Sequence, residues 1–240
     1  MAEEIVLSVK ELSVGYQKSL TTSFDLNCFS GELICMLGPN GTGKSTLLKT
    51  LAGLVVPLSG SIDLLGKSIS KYSLKERAQK LTTVFMAHLL TPEMTVREYV
   101  SLGRTPYAGF LDARSEKDLQ VVQNAIEDTR LSSFADNPMY ALSDGERSRV
   151  FIARALAQEV KVLLLDEPTA FLDVPHTIFL FDLLKKITRL KNNTIILSTH
   201  NIEYAKRFAD RIIAFDGKGN VSLMDVKSAF ESDFLQWTEG

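Results

Sequence analysis

A glycine-rich loop between an apolar run and a helical pattern constrains the fold more than any other feature of this chain. The loop occupies residues 38–46 and fits the pattern G-x-x-x-x-G-K-[ST]. Residues 33–37 before it are all apolar, and residues 47–52 after it favour a helix. A buried strand that leads through such a loop into a helix directs backbone N–H groups and the positive end of the helix at a phosphate. The pattern predicts a nucleoside triphosphate site and leaves open which process the nucleotide drives.

Two side chains of this loop are candidates for direct contact with the triphosphate and its metal ion. Lys44 can reach the β- and γ-phosphates, and the Ser45 hydroxyl can bind Mg²⁺. We expect the whole loop to surround the phosphates, that is Gly38, Pro39, Asn40, Gly41, Thr42, Gly43, Lys44, Ser45 and Thr46.

Composition excludes several classes of protein. The chain has 240 residues and a net charge of −2, which gives no indication of a nucleic-acid partner. No apolar run approaches the length of a transmembrane helix, and the acidic N-terminus lacks the basic start of a secretory signal. Any role at a membrane would therefore need a partner. Cys28 and Cys35 lie in apolar, strand-like runs, which favours buried free thiols over a disulfide.

Strand-like runs alternate with helical patterns through most of the chain. The runs at residues 33–37, 160–165 and 194–198 suit buried parallel strands. Residues 212–215 and 221–224 flank a glycine-containing turn and suit an antiparallel hairpin. This alternation favours an α/β fold with a mainly parallel sheet.

Helical patterns dominate the middle of the chain. Ser115 and Asp118 have the spacing of a capping box, although Asp replaces the usual Glu or Gln. Leu119, Val122 and Ile126 then recur at helical spacing.

We predict a single domain over residues 1–240. Its core would comprise approximately residues 1–91 and 158–240. A helical subdomain would be inserted between them, at approximately residues 92–157.

Two adjacent acids stand at the end of an apolar run. Leu164 and Leu165 precede Asp166 and Glu167, and carboxylates at the end of a buried strand are costly unless a cation or a mechanism uses them. In a chain with a phosphate loop, Asp166 would lie beside Mg²⁺ in its outer sphere, and Glu167 would polarise the water that attacks the γ-phosphate. The alternative is a solvated strand end without a catalytic role.

A third pattern lies about twenty residues before these acids and reads Leu-Ser-Asp-Gly-Glu-Arg over residues 142–147. With the other two motifs in this order, the chain resembles the nucleotide-binding subunit of an ATP-binding-cassette (ABC) transporter, whose pattern here is Leu-Ser-Gly-Gly-Gln. The resemblance implies that Ser143 and Gly145 hold the γ-phosphate of an ATP on another subunit, and a hydroxyl and amides at a helix start suit that role. Ser143 and Glu146 also fit a capping box, and both interpretations can hold.

The resemblance covers nearly the whole chain and implies further site residues. Tyr16 matches the aromatic residue that stacks on adenine, with a core aromatic as the alternative. Asp173 matches an aspartate in a loop that crosses between subunits, with an N-cap before Pro175 as the alternative. His200 matches the histidine that contacts the γ-phosphate, with a structural histidine as the alternative.

The resemblance also implies a fold and cofactors. The fold would be a phosphate-loop NTPase core of the RecA-like type, with an N-terminal antiparallel β-subdomain and the helical insertion. The cofactors would be ATP and Mg²⁺. Lys44, Glu167 and His200 would be catalytic, and Ser45 and Asp166 would serve the metal.

The chain departs from the family pattern at a glutamine that usually contacts Mg²⁺ and the permease. No glutamine occurs between residues 80 and 119. Either Ala87 or His88 occupies the position of this glutamine, or water binds the metal there. We therefore assign the role of the glutamine to no residue of this chain.

A second departure is Asp144 and Glu146 where the family has Gly and Gln. Their negative charge should weaken ATP-driven closure unless Arg147 or Arg149 compensates. Because the rest of the hydrolytic set is present, we still expect an active ATPase.

Residues 94–107 narrow the transporter class, because they resemble the pattern of importer ATPases for iron–siderophore complexes, haem and cobalamin. Residues 141–147 and 169–173 also resemble that branch. The alternative is that residues 94–107 are helical packing residues shared by many branches, and that the chain is a subunit of an ABC importer or exporter for another substrate.

The family mechanism implies several partners. Two copies would form a homodimer, and an integral membrane permease would dock near residues 84–107. A substrate-binding protein would act indirectly, and the chain would lie on the cytoplasmic side of the cell (inner) membrane, held there by the permease.

Three rival functions have weaker support. A cytosolic ABC ATPase in translation or DNA repair generally carries tandem cassettes, zinc-binding inserts or long coiled coils. A binding module would close on ATP without hydrolysing it. A small-molecule kinase would have no need for residues 142–147 or for His200.

Overall fold

Two β-sheets carry the strands in the computed structural model, which describes residues 4–85, 93–109 and 114–238. The strands are β1 Ile5–Ser13, β2 Phe24–Phe29, β3 Leu33–Leu37, β4 Ser59–Leu64, β5 Lys67–Ser68, β6 Leu81–Phe85, β7 Val162–Asp166, β8 Thr194–Ser198, β9 Arg211–Phe215 and β10 Val221–Asp225. The α-helices are α1 Lys44–Leu51, α2 Leu74–Ala78, α3 Val96–Ser101, α4 Glu116–Asp128, α5 Asp144–Ala157, α6 Val174–Lys191, α7 Ile202–Phe208 and α8 Val226–Glu231. Short 3-10 segments lie at Ile69–Lys71, Leu102–Tyr107, Ser132–Phe134, Met139–Ala141 and Asp233–Thr238.

The central sheet has the strand order β10-β9-β3-β8-β7-β6. It is parallel except for the β9–β10 pair, which is antiparallel and confirms the predicted hairpin. Every residue of β3 and β8 is buried, as expected for apolar strands covered on both faces. The loops that follow β3, β7 and β8 therefore lie together at the carboxyl ends of these parallel strands.

The second sheet is antiparallel, with the order β2-β1-β4-β5. Its apolar side chains, among them Val6, Leu7 and Leu26, share one core with Ile34 of β3 and Leu47 of α1. This confirms the antiparallel N-terminal β-subdomain and covers the face of the central sheet on which α1 lies.

Helices α3, α4 and α5 form the predicted helical insertion and join the core on the opposite face of the sheet. The capping box of Ser115 and Asp118 is present at the start of α4. Val122 and Ile126 are buried, whereas Leu119 is exposed, so the apolar stripe of α4 is shorter than its spacing suggests. The division of the chain at residues 91 and 92 falls outside the described residues and stays a prediction.

No helix in the described part of the chain is long and apolar enough to cross a membrane. Both cysteines are free and buried, as predicted. Burial raises the pKa of the Cys28 thiol to about 12 and raises that of Cys35 above its usual range.

We predict that neither thiol reacts with a water-soluble disulfide reagent in the native protein, because the reactive thiolate is inaccessible and unfavourable there. Both should react at once in denaturant. Absorbance of the released thiolate reports the reaction, and rapid modification of the native protein would contradict the buried positions of Cys28 and Cys35.

Candidate active site

The loop after β3 has the backbone shape that a phosphate cradle requires. Gly41 and Gly43 have φ values of 79° and 104°, a region that side chains disfavour. A Cβ on Gly38 would lie 2.5 Å from the Cβ of Phe215, so this glycine is also required by packing against β9. Helix α1 then begins directly at Lys44, and its first N–H groups point into the loop.

Lys44 is held within the loop that carries it. Its ammonium donates hydrogen bonds to the carbonyl oxygens of Gly38 and Pro39, at 2.6 and 2.8 Å, and the residue is only 6% exposed. Burial lowers the pKa of Lys44, while the negative charges of Glu167 and Asp166 act in the opposite direction. The lysine therefore lies in the electrostatic field of both acids, although they belong to a distant part of the sequence.

The two acids are fixed by one buried hydroxyl. Ser198 Oγ donates to Asp166 Oδ1 at 2.6 Å and accepts the backbone N–H of Glu167 at 2.8 Å. Glu167 has a φ of 49°, which is uncommon for a residue with a side chain and costs about 1–3 kcal/mol. Ser198 thus stabilises the turn that directs the Glu167 side chain out of the strand. Ser198 is not among the site residues predicted from the sequence, and the one signal that points to it is its place as a polar residue at the end of an apolar strand.

Glu167 and His200 lie together, as their predicted roles require. His200 Nε2 and Glu167 Oε1 are 2.6 Å apart, and both side chains are partly exposed. They line a cavity of about 270 Å³ whose other lining residues are Thr169, Ala170, Thr199 and Asn201. A carboxylate beside an imidazole in an open cavity has the chemistry to orient and deprotonate a water molecule.

Ser143 caps helix α5 in a full capping box. Its Oγ accepts the N–H of Glu146, and its own N–H and Oγ both donate to Glu146 Oε2 at 2.8 Å. The capping interpretation is therefore correct, and the Glu146 carboxylate is engaged within the turn.

The charge of Asp144 is also met locally. Arg147 pairs with Asp144, which provides the compensation that the sequence left open. Arg149 instead donates to the carbonyl oxygens of Thr129 and Arg130.

The structure describes two further predicted site residues, Tyr16 and Asp173. Tyr16 is 60% exposed, so the alternative of a core aromatic is wrong. Asp173 is the N-cap of α6 and accepts the N–H of His176 at 3.0 Å. Ala87 and His88 lie outside the described residues.

A family model described as ABC transporter matches residues 21–170 of the chain. The chain belongs to the ABC transporter family. It is an ATP-binding and ATP-hydrolysing subunit, and a relative of this family has been solved with ADP and Pi bound.

Individual relatives place the chain further within the family. It is 35% identical to the iron(3+)-hydroxamate import ATP-binding protein of Bacillus subtilis over 216 residues, which is 90% of this chain and 80% of the relative. A putative metal-chelate type ABC transporter in an inward-facing conformation superposes with a TM-score of 0.85 at 27% identity, over 98% of this chain and 88% of that chain. A dimeric ATP-binding cassette in a post-hydrolysis state with ADP and Pi superposes with a TM-score of 0.81 at 29% identity, over 92% of this chain and 98% of that chain.

Ser198→Ala should lower the ATPase rate, because the backbone N–H of Glu167 loses its hydrogen-bond acceptor and the Asp166 carboxylate loses a hydrogen-bond donor. We expect a loss of about 1–3 kcal/mol in the free energy of unfolding, as for a buried donor left unpaired. Steady-state phosphate release and thermal melting measure the two effects.

Thr194→Val is the matched control for this variant. Thr194 lies at the other end of β8, is equally buried, and makes two hydrogen bonds to the segment at Phe29 and Gly31. The control should lower stability and keep the ATPase rate per folded molecule. Equal rates for the two variants would contradict the assigned role of Ser198.

Proposed function

We propose that two copies of this chain close around two ATP molecules and thereby power an importer of metal chelates. Each ATP would bind the phosphate loop of one chain and Ser143 and Gly145 of the other. The observation that carries this proposal is the pair formed by Glu167 and His200 at the sheet edge from which the phosphate loop also leaves. The dimeric relative with ADP and Pi supports the arrangement in two copies.

The exposed surface around Ser143 supports its role toward a second chain. Ser143 is exposed at the start of α5, where the helix dipole favours an anion. A Cβ on Gly145 would lie 3.5 Å from Leu172 Cδ2 and 3.6 Å from the Phe171 carbonyl oxygen, which are ordinary contacts. Packing within the chain therefore does not require a glycine at residue 145, whereas close approach of a phosphate would.

Each catalytic residue has a separate task in this proposal. Lys44 holds the β- and γ-phosphates, and Tyr16 offers an exposed ring for adenine. Glu167 accepts a proton from the attacking water, while His200 keeps that carboxylate in place and contacts the γ-phosphate. Asp173 crosses to the site of the partner.

The donor set near the phosphates fits Mg²⁺. Ser45 offers a hydroxyl at the exposed first turn of α1, and Asp166 offers a carboxylate at the end of β7. One hydroxyl and one carboxylate are typical of Mg²⁺ that is bound largely through substrate phosphates and water. When bound, the ion would neutralise phosphate charge in the transition state.

The proposed cargo is an iron–siderophore, haem or cobalamin-type chelate. The hydroxamate importer and the metal-chelate type transporter among the relatives support this class. The motif at residues 94–107 gives weaker support for this cargo class, because its Arg104 is buried and pairs with Asp118 and Glu159 at 2.8 and 3.0 Å. That arginine packs the helical insertion, as the alternative interpretation holds.

The proposed location is the cytoplasmic side of the cell membrane, where a permease would bind near residues 84–107. A substrate-binding protein would deliver the chelate on the other side. ATP stabilises the closed dimer because it contacts both halves, and hydrolysis would return the permease to its other state.

Glu167→Gln should abolish hydrolysis and trap a dimer in Mg²⁺ and ATP, because the amide cannot accept a proton from water. Light scattering after size-exclusion chromatography measures the mass. Adding Lys44→Ala to this variant should return it to a monomer, since the phosphate contact is lost. A Glu167→Gln protein that stays monomeric in saturating ATP would contradict the shared site.

Gly145→Ala should keep or raise the melting temperature, because alanine is favoured over glycine in a helix by about 1 kcal/mol, and should lower the ATPase rate. Gly103→Ala is its opposite control, since that Cβ would lie 2.4 Å from the Arg154 carbonyl oxygen and should destabilise the fold. Full activity of Gly145→Ala would contradict the phosphate contact at this position.

Copurification with a polytopic membrane protein, followed by uptake of labelled iron–siderophore, haem and cobalamin, tests the cargo. We expect uptake of one of the three that stops in Lys44→Ala. Copurification with ribosomes or DNA instead would favour a cytosolic ABC ATPase.

A further inference from the structure

Asp173 receives two hydrogen bonds from the same residue. The backbone N–H of His176 donates to Asp173 Oδ1 at 3.0 Å, and the imidazole Nδ1 lies 2.6 Å from the same oxygen. Both side chains are exposed. Both contacts end on Oδ1, and neither uses Oδ2.

Only the first of these bonds is needed to cap helix α6. An N-cap side chain satisfies a free N–H at the third helical position, and the backbone of any residue other than proline at position 176 supplies that N–H. The imidazole bond adds nothing to capping. Its effect is to fix the rotation of the Asp173 carboxylate, which would otherwise turn about its terminal bond.

The imidazole also lies where two predicted parts of the shared site meet. Leu172 and the Phe171 carbonyl approach Gly145 of α5. The pKa of Glu146 lies below its usual range. Burial raises this pKa, but hydrogen bonds from Ser143 and the positive charges of Arg149 and of a protonated His176 lower it further. A protonated His176 would therefore act electrostatically on the Ser143 turn as well as contact Asp173.

We propose that His176 is a positioning residue that holds the Asp173 carboxylate in the orientation required by the partner chain. This inference rests on the proposed crossing of Asp173 into the site of the partner. His176 itself contacts neither nucleotide nor metal in this account. It acts through Asp173, so its removal should impair closure of the dimer and leave binding of ATP to a single chain unchanged.

Three substitutions of His176, to Asn, Gln and Ala, separate its positioning role from the effects of side-chain size and polarity. Asn places an amide nitrogen where His has Nδ1 and can keep the bond, whereas Gln places it nearer to Nε2, and Ala removes it. Asp173→Ser keeps an N-cap oxygen and removes the carboxylate. The full chain carries each substitution alone, and one protein carries both His176→Ala and Asp173→Ser.

The measurements are kcat for ATP hydrolysis, Kd of ATP for the monomer and the melting temperature. We expect His176→Ala and His176→Gln to lower kcat about fivefold, a fold-change within the range for the net contribution of a typical hydrogen bond. His176→Asn should restore most of kcat, while Kd and melting temperature stay unchanged in all three. In the Asp173→Ser background, His176→Ala should have no further effect on kcat, as expected of coupled residues.

Two results would overturn the inference. One is a wild-type kcat in His176→Ala while Asp173→Ser is impaired, and the other is an equal loss from His176→Ala in both backgrounds. A wild-type kcat in Asp173→Ser would instead refute the proposed role of Asp173 itself, so failure of the inference and failure of the underlying proposal give different results.

Discussion

The candidate active site depends on the two hydrogen bonds that the Ser198 hydroxyl makes. This hydroxyl lies at the end of a completely buried strand and joins the Asp166 carboxylate to the N–H of Glu167. The parallel pairing of β7 and β8, with Leu165 opposite Leu197, places it there. A slip of one residue would turn every side chain of β8 to the other face, and Glu167 would lose the partner that stabilises its positive φ. The register of the core thus controls where the carboxylate of Glu167, the proposed catalytic base, points.

Local contacts bind both of the acids that replace Gly and Gln of the family pattern at residues 144 and 146. Asp144 and Glu146 add two negative charges near a predicted phosphate contact. Arg147 pairs with Asp144, and the carboxylate of Glu146 is bound by the turn of Ser143. The charge of Asp144 is thus compensated, whereas the Glu146 carboxylate keeps its charge and is held in the capping box. A charge count from sequence overstates repulsion wherever the structure pairs the charges locally.

The sequence predicted the features that local patterns determine. The buried strands, the phosphate loop, the C-terminal hairpin and the capping box at Ser115 all follow from periodicity or from short motifs. The function of Ser198 was not predictable in this way, because it depends on pairing with a strand about thirty residues earlier. Spacing alone also placed Leu119 on the apolar face of α4, although its side chain is exposed. Where an apolar stripe ends depends on tertiary packing, which the spacing of apolar residues does not encode.

The central claim is that each ATP site is built from two chains, and mixing two inactive variants tests it most directly. In the Glu167→Gln background, one chain carries Lys44→Ala and the other Ser143→Arg, and occluded labelled ATP is counted after rapid gel filtration. Each variant alone should occlude none. In a mixed dimer both changes fall in one site and the other site is intact, so the account predicts that the mixture occludes ATP. If the mixture occludes no more than either variant alone, the site lies within a single chain and the account is wrong.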